Sequence, residues 1–220
     1  MRKGFACLFY GAPGTGKTET VNQLARITGR DVMMINVAKI KSCWVGESEK
    51  NIKDVFDRYR KYVEKCELAP ILLFNEADAV LGIRQEGAQR AVDKMENSIQ
   101  NIILQEMEQL NGIMIATTNL TKNLDKAFER RFLYKVEFER PDVTSKQAIW
   151  QSMIPDLEES VACRLAERYN LSGGQIENVV RKRTVEMILS GVEPTAEQME
   201  AFCRAELLMN KPPERRRIGF

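Results

Sequence analysis

The run Gly11-Ala12-Pro13-Gly14-Thr15-Gly16-Lys17-Thr18 has the spacing G-x-x-x-x-G-K-[ST]. Glycines at these places let backbone amides turn inward around phosphate oxygens, and a helix starting here adds the positive end of its dipole. Lys17 would reach the β- and γ-phosphates of a nucleotide, and the Thr18 hydroxyl would sit on a magnesium ion. Such a motif means something only between a strand and a helix. Phe5 to Tyr10 reads as the strand, and Val21, Leu24, Ala25 and Thr28 fall on one side of the helix that follows. The expected chemistry is therefore binding of a nucleoside triphosphate by residues 11–19, Glu19 included.

The elements that must hold this cradle follow from periodicity. Phe5 to Tyr10, Asp31 to Val37, Ile71 to Phe74, Ile113 to Thr117 and Leu133 to Phe138 are short apolar runs of strand length. Ile52, Val55, Phe56, Tyr59 and Val63 recur at helical spacing and predict an amphipathic helix over 49–66. Met95, Ile99, Ile102, Ile103 and Leu110 do the same over 93–110. Alternation of this kind predicts an α/β fold, a parallel five-stranded sheet sandwiched by helices. Pro141 ends it. Beyond it only helical segments are expected, near 144–153, 157–169, 173–190 and 195–209, punctuated by Pro155, Gly173-Gly174 and Pro194. The division expected is an α/β domain over 1–140, a helical domain over 141–209 and a basic tail over 210–220.

Composition narrows the function classes. The chain has 220 residues, 44% hydrophobic and 29% charged, with 33 basic and 31 acidic side chains and a net charge of +2. That balance offers no electrostatic footprint for nucleic acid or a membrane surface. There is no histidine, so His-liganded zinc and H-E-x-x-H chemistry are excluded. The five cysteines form no C-x-x-C pair, and an odd number suits free thiols in a reducing compartment. No apolar run reaches the roughly 18 residues of a membrane span, so a cytoplasmic location is the expectation.

Residues 11–18, 44–50, 71–78, 119 and 125–132, taken together and in order, resemble an AAA+ ATPase of the protein-remodelling branch. The similarity covers nearly the whole chain. It implies a P-loop NTPase domain followed by a small all-α lid, with ATP and Mg²⁺ as the ligands. "LLFNEAD" would be the Walker B strand, lying beside the phosphate-loop strand, with Glu76 as the carboxylate that polarises the attacking water. Asn119, in "IATTN", would be the sensor on the next strand's end, helping orient that water. "LDKAFERRF" resembles the segment carrying arginine fingers, so Arg130 or Arg131 would reach a neighbouring subunit's γ-phosphate. The active unit would then be a homo-oligomer, a hexameric ring as in the family. "CWVGESEKNI" resembles the first pore loop, in which Trp44, Val45 and Gly46 would grip an extended polypeptide. "LSGGQIENVV" resembles the lid segment over base and ribose, which brings in Gly173, Gly174 and Gln175. Trp150 belongs to neither pattern and is expected to pack.

Two departures stand out. Asn75 occupies the place where the family carries the aspartate that steadies magnesium. A carboxylate about 5 Å from Mg²⁺ gives a gross attraction of about 2–7 kcal/mol at effective dielectrics of 80 to 20, and a neutral amide forgoes it. Thr18 and Asn75 would remain the metal-side residues, with hydrolysis slowed rather than abolished. The second departure is that the phosphate-loop strand starts almost at Met1, where the family carries an upstream segment over the adenine. A piece of a longer protein is the expectation. The function so implied is ATP hydrolysis used to remodel or unfold protein substrates through a ring pore. The alternative is a nucleotide-gated scaffold with little turnover because of Asn75, and the charge balance disfavours a third reading, an AAA+ protein acting on DNA.

Overall fold

The computed structural model describes residues 4–37, 47–83, 91–120 and 123–209, with the side chains of residues 47–48, 91–95 and 208–209 excepted. Five strands, β1 (Phe5–Gly11), β2 (Val32–Asn36), β3 (Ile71–Asn75), β4 (Ile113–Thr118) and β5 (Tyr134–Phe138), form one sheet in the order β2-β3-β4-β1-β5. Every neighbouring pair is parallel. The helices are α1 (Lys17–Thr28), α2 (Glu47–Lys65), α3 (Asp78–Leu81), α4 (Ala91–Glu108), α5 (Lys126–Glu129), α6 (Val143–Met153), α7 (Glu159–Arg168), α8 (Gly173–Ser190) and α9 (Ala196–Met209). The short turns α3 and α5 carry no apolar period of their own and went unseen in the sequence. No strand follows Pro141 among the described residues.

Strand order corrects one expectation. β3 does not lie beside β1; β4 runs between them and pairs with both. Period-2 alternation explains how the sheet is covered on both faces. Ala6 and Leu8 of β1 join Phe56, Tyr59, Phe74 and Ile103 in one core, whereas Cys7 and Phe9 join Val21, Ala25 and Ile115 in the other. Leu24 and Thr28, expected on the inward stripe of α1, are exposed, and only Val21 and Ala25 of that set are buried. The buried Tyr59 hydroxyl accepts the Ile113 N–H at 2.8 Å and donates to Pro70 O at 2.8 Å, tying the starts of β3 and β4 to α2.

The chain divides into two compact units at Phe138–Glu139, with Pro13–Thr15 grouped in the second. The second unit has its own core around Trp150, Leu165, Ile176, Val179 and Met199. Asp142 caps α6 by accepting the Ser145 N–H at 2.7 Å, and these Ser145 hydrogen bonds hold its carboxyl below the usual range. At the start of α8, the Ser172 and Gln175 side chains each accept the other's backbone N–H, which satisfies two orphan donors. Val185, Ile188 and Leu189 of α8 and the nearby Val192 stay exposed at i, i+3, i+4 and i+7 spacing.

Candidate functional site

Four segments of the first unit supply the candidate site: the close of the glycine loop and start of α1, the tips of β3 and β4, and the turn into α3. Gly16 precedes α1 with φ of 93°, in the left-handed region that a side chain would strain. That turn brings Lys17 inward. Its Nζ donates to Gly11 O at 2.9 Å, to Ala12 O at 2.7 Å and to Asn119 Oδ1 at 3.0 Å. Lys17 is buried, and burial lowers its pKa while the Asp78 charge pushes it back up. The ammonium thus sits among neutral acceptors, with no salt bridge to a described residue.

The Thr18 hydroxyl donates to Asn75 Oδ1 at 2.8 Å. The Thr117 hydroxyl donates to the same oxygen at 3.0 Å and accepts the Glu76 N–H at 3.1 Å, while Ala77 N–H reaches Thr117 O at 2.8 Å. These bonds hold Glu76 at φ 53°, the left-handed region, at a cost of about 1–3 kcal/mol for a residue with a Cβ. The Glu76 side chain is exposed. Asp78 accepts Asn119 N–H at 2.7 Å, Asn119 Nδ2 at 3.3 Å and the Thr118 hydroxyl. Lys17, Thr18, Asn75, Glu76 and Asn119 are therefore gathered into one hydrogen-bonded patch. Thr117 and Asp78 complete it and were missed. Thr117 could have been found two residues before Asn119 on one sheet face, and Asp78 two residues after Glu76.

Oxygen donors of the hydroxyl and amide kind suit a hard cation such as Mg²⁺. Asn75 Oδ1 accepts the Thr18 proton, so a lone pair of the hydroxyl stays available to a metal, although without the charge an aspartate would add. The residues fit a magnesium ion held mainly by its phosphates.

The remaining expected residues fall elsewhere. Gly14, in the second unit by grouping, accepts Gly174 N–H at 3.0 Å. A Cβ on Gly14 would come 2.7 Å from Ser172 Oγ, so this approach requires glycine. Gln175 spends its side-chain oxygen on the Ser172 N–H at 2.9 Å. Glu19 accepts from Gln23 at 2.6 Å along the surface of α1. Arg131 donates to Ala127 O at 3.0 Å and pairs with Glu108, leaving its buried Nε without a partner. Arg130 is exposed, and its side chain makes no hydrogen bond or ion pair with a described residue. Trp44, Val45 and Gly46 lie outside the described residues. Trp150 is fully buried, as expected of a packing residue.

Residues 7–140 match the family described as ATPase family associated with various cellular activities (AAA). The vesicle-fusing ATPase of Arabidopsis thaliana is 30% identical over 195 residues, covering 80% of this chain and 26% of that protein. The ribosome biogenesis ATPase RIX7 of Saccharomyces cerevisiae is 35% identical over 178 residues, 76% of this chain and 20% of that protein. Protein CdcH of Halobacterium salinarum is 31% identical over 191 residues, 82% of this chain and 25% of its own length. The chain thus spans about a quarter or less of the length of these three relatives. Glycine loop, parallel sheet with β4 between β1 and β3, and family match agree: this chain belongs to the AAA ATPase family.

Proposed function

We propose that this chain is an ATP-binding AAA+ core that hydrolyses ATP to ADP and phosphate and, when assembled, remodels protein substrates. The observation that carries this reading is the convergence of Lys17, Asn119 and Glu76, drawn from segments up to 102 residues apart. On ATP binding Lys17 gives its hydrogen bonds to the phosphates, replacing the neutral acceptors that hold it in the free chain. Glu76 accepts a proton from water as that oxygen attacks the γ-phosphorus, and the bond to the β–γ bridging oxygen breaks. Asn119 fixes the water. Thr18 and Asn75 would hold magnesium, which when bound neutralises charge on the phosphates. Gly174 and Gln175 of the helical domain, 141–209, complete nucleotide binding by resemblance. In a folded chain that still binds ATP, Glu76→Gln should cut phosphate release by about 10²–10⁴-fold. Unchanged release would overturn the assignment.

Two further features support assembly. Arg131 is tied within its own protomer, which supports Arg130 as the arginine that would reach a neighbour's γ-phosphate. The exposed stripe Val185, Ile188, Leu189 and Val192 supports contact with another protein surface. The relatives' names, a vesicle-fusing and a ribosome biogenesis ATPase, support remodelling of protein assemblies. Polypeptide grip by Trp44, Val45 and Gly46 in a hexameric pore, and a cytoplasmic location, complete the reading. No helix among the described residues is long and apolar enough to cross a membrane.

Asn75 favours a second reading, a nucleotide-gated scaffold. Restoring the charge separates the two. Asn75→Asp should raise turnover by about 10-fold and shift the magnesium titration to lower concentration. Measurable wild-type turnover favours the motor, and tight ATP binding without phosphate release favours the scaffold.

A further inference from the structure

Asp78 opens α3 one position past the N-cap, Ala77, where its charge suits the helix N-terminus. Its hydrogen bonds reach residues 40 and 41 positions away, on the tip of β4. Oδ1 takes the Asn119 backbone N–H at 2.7 Å together with the Thr118 hydroxyl, and Oδ2 takes Asn119 Nδ2 at 3.3 Å. Thr118 is buried and its hydroxyl also accepts the Leu120 N–H at 3.1 Å, so the turn carrying Asn119 is fixed on both sides.

A side-chain amide has one donor end and one acceptor end. With its NH₂ committed to Asp78, Asn119 must present its oxygen on the opposite side, where Lys17 Nζ donates to it at 3.0 Å. We propose that Asp78 is a positioning residue for hydrolysis: it fixes the place of Asn119 and decides which end of its amide faces the reacting phosphate and water. The proposal rests on the hydrolytic reading given above. Asp78 touches no substrate and acts through Asn119. The substitution Asp78→Asn would put a neutral NH₂ where one of the Asn119 N–H groups now points. Two donors would then meet, and Asn119 would turn over.

The test is a double-mutant comparison on the full chain with Mg-ATP. Asp78→Asn and Asn119→Ala should each lower kcat by about 30–100-fold with KM for ATP within about threefold, the split expected for groups that act only in the transition state. The double variant should be no slower than Asn119→Ala alone, because both remove the same interaction. Asp78→Glu, which keeps the carboxylate, should recover part of the loss. Effects that multiply, or a folded Asp78→Asn with wild-type kcat, would overturn the proposal. Should Asp78→Asn fail to fold, a folded Asp78→Glu as slow as Asn119→Ala would overturn it equally. A wild type that binds ATP yet releases no phosphate sinks the hydrolytic reading instead. The Asn119 side-chain amide resonances then decide on Asp78: displaced from unstructured-peptide positions in wild type and returned to them in Asp78→Ala supports it, unchanged overturns it.

Discussion

Lys17 and Glu200 are both charged side chains pressed against the protein, and they keep opposite company. Lys17 is ringed by two loop carbonyls and one amide oxygen. Glu200, on α9, is ringed by cations: Arg168 at 2.7 Å, Arg204 at 3.5 Å and Arg164 at 3.8 Å, with the Tyr169 hydroxyl at 3.1 Å. Hydrogen bonding satisfies both, but only Glu200 is directly ion-paired, whereas the one carboxylate that acts on Lys17, Asp78, does so without touching it. A cation held by neutral oxygens keeps its attraction for an arriving anion, whereas a carboxylate surrounded by guanidinium groups has none left to offer. An unpaired ammonium beside a glycine loop fits the proposed nucleotide site, and a fully ion-paired carboxylate in the helical unit fits a structural role.

That contrast can be broken. Lys17→Ala should weaken binding of a fluorescent ATP analogue by about 100-fold, near 2.7 kcal/mol, with the melting temperature little changed. Glu200→Gln should do the reverse, lowering stability by about 1–2 kcal/mol in urea while nucleotide affinity stays within about twofold. If Glu200→Gln costs as much affinity as Lys17→Ala, the distinction fails. A smaller effect sharpens the picture inside the helical unit. Burial, with Glu200 nearby, pushes the fully buried Cys203 thiol up to about 12 from an ordinary 9.0. The unfolded chain loses that proton first, so wild-type stability should fall relative to Cys203→Ala as pH rises from about 9 towards 12. Parallel curves over that range would remove Cys203 from the account.

Much of this was readable in the chain itself. Apolar runs and helical spacing located all five strands and the long helices, because burial on one face or two leaves a period that composition cannot hide. Lys17, Thr18, Glu76 and Asn119 could be placed at the ends of those runs, and the structure brings them together. What spacing could not supply was strand order, since sequence neighbours need not be sheet neighbours, and β4 sits where none was foreseen beside β1. Nor could it rank the arginines. Arg130 and Arg131 look alike until Glu108, 23 positions upstream, claims one of them. Asp78 escaped for the same reason, its partners lying 40 and 41 residues downstream.

The intervening strand has a consequence of scale. Neighbouring strands stand about 4.8 Å apart, too narrow a slot for a phosphoryl group with a water lined up behind it. With β4 interposed, the glycine loop leaving β1 and the carboxylate leaving β3 are separated by roughly 10 Å, twice that spacing. The width of one extra ribbon sets the gap between loop and carboxylate, with Asn119 following the tip of the strand between them.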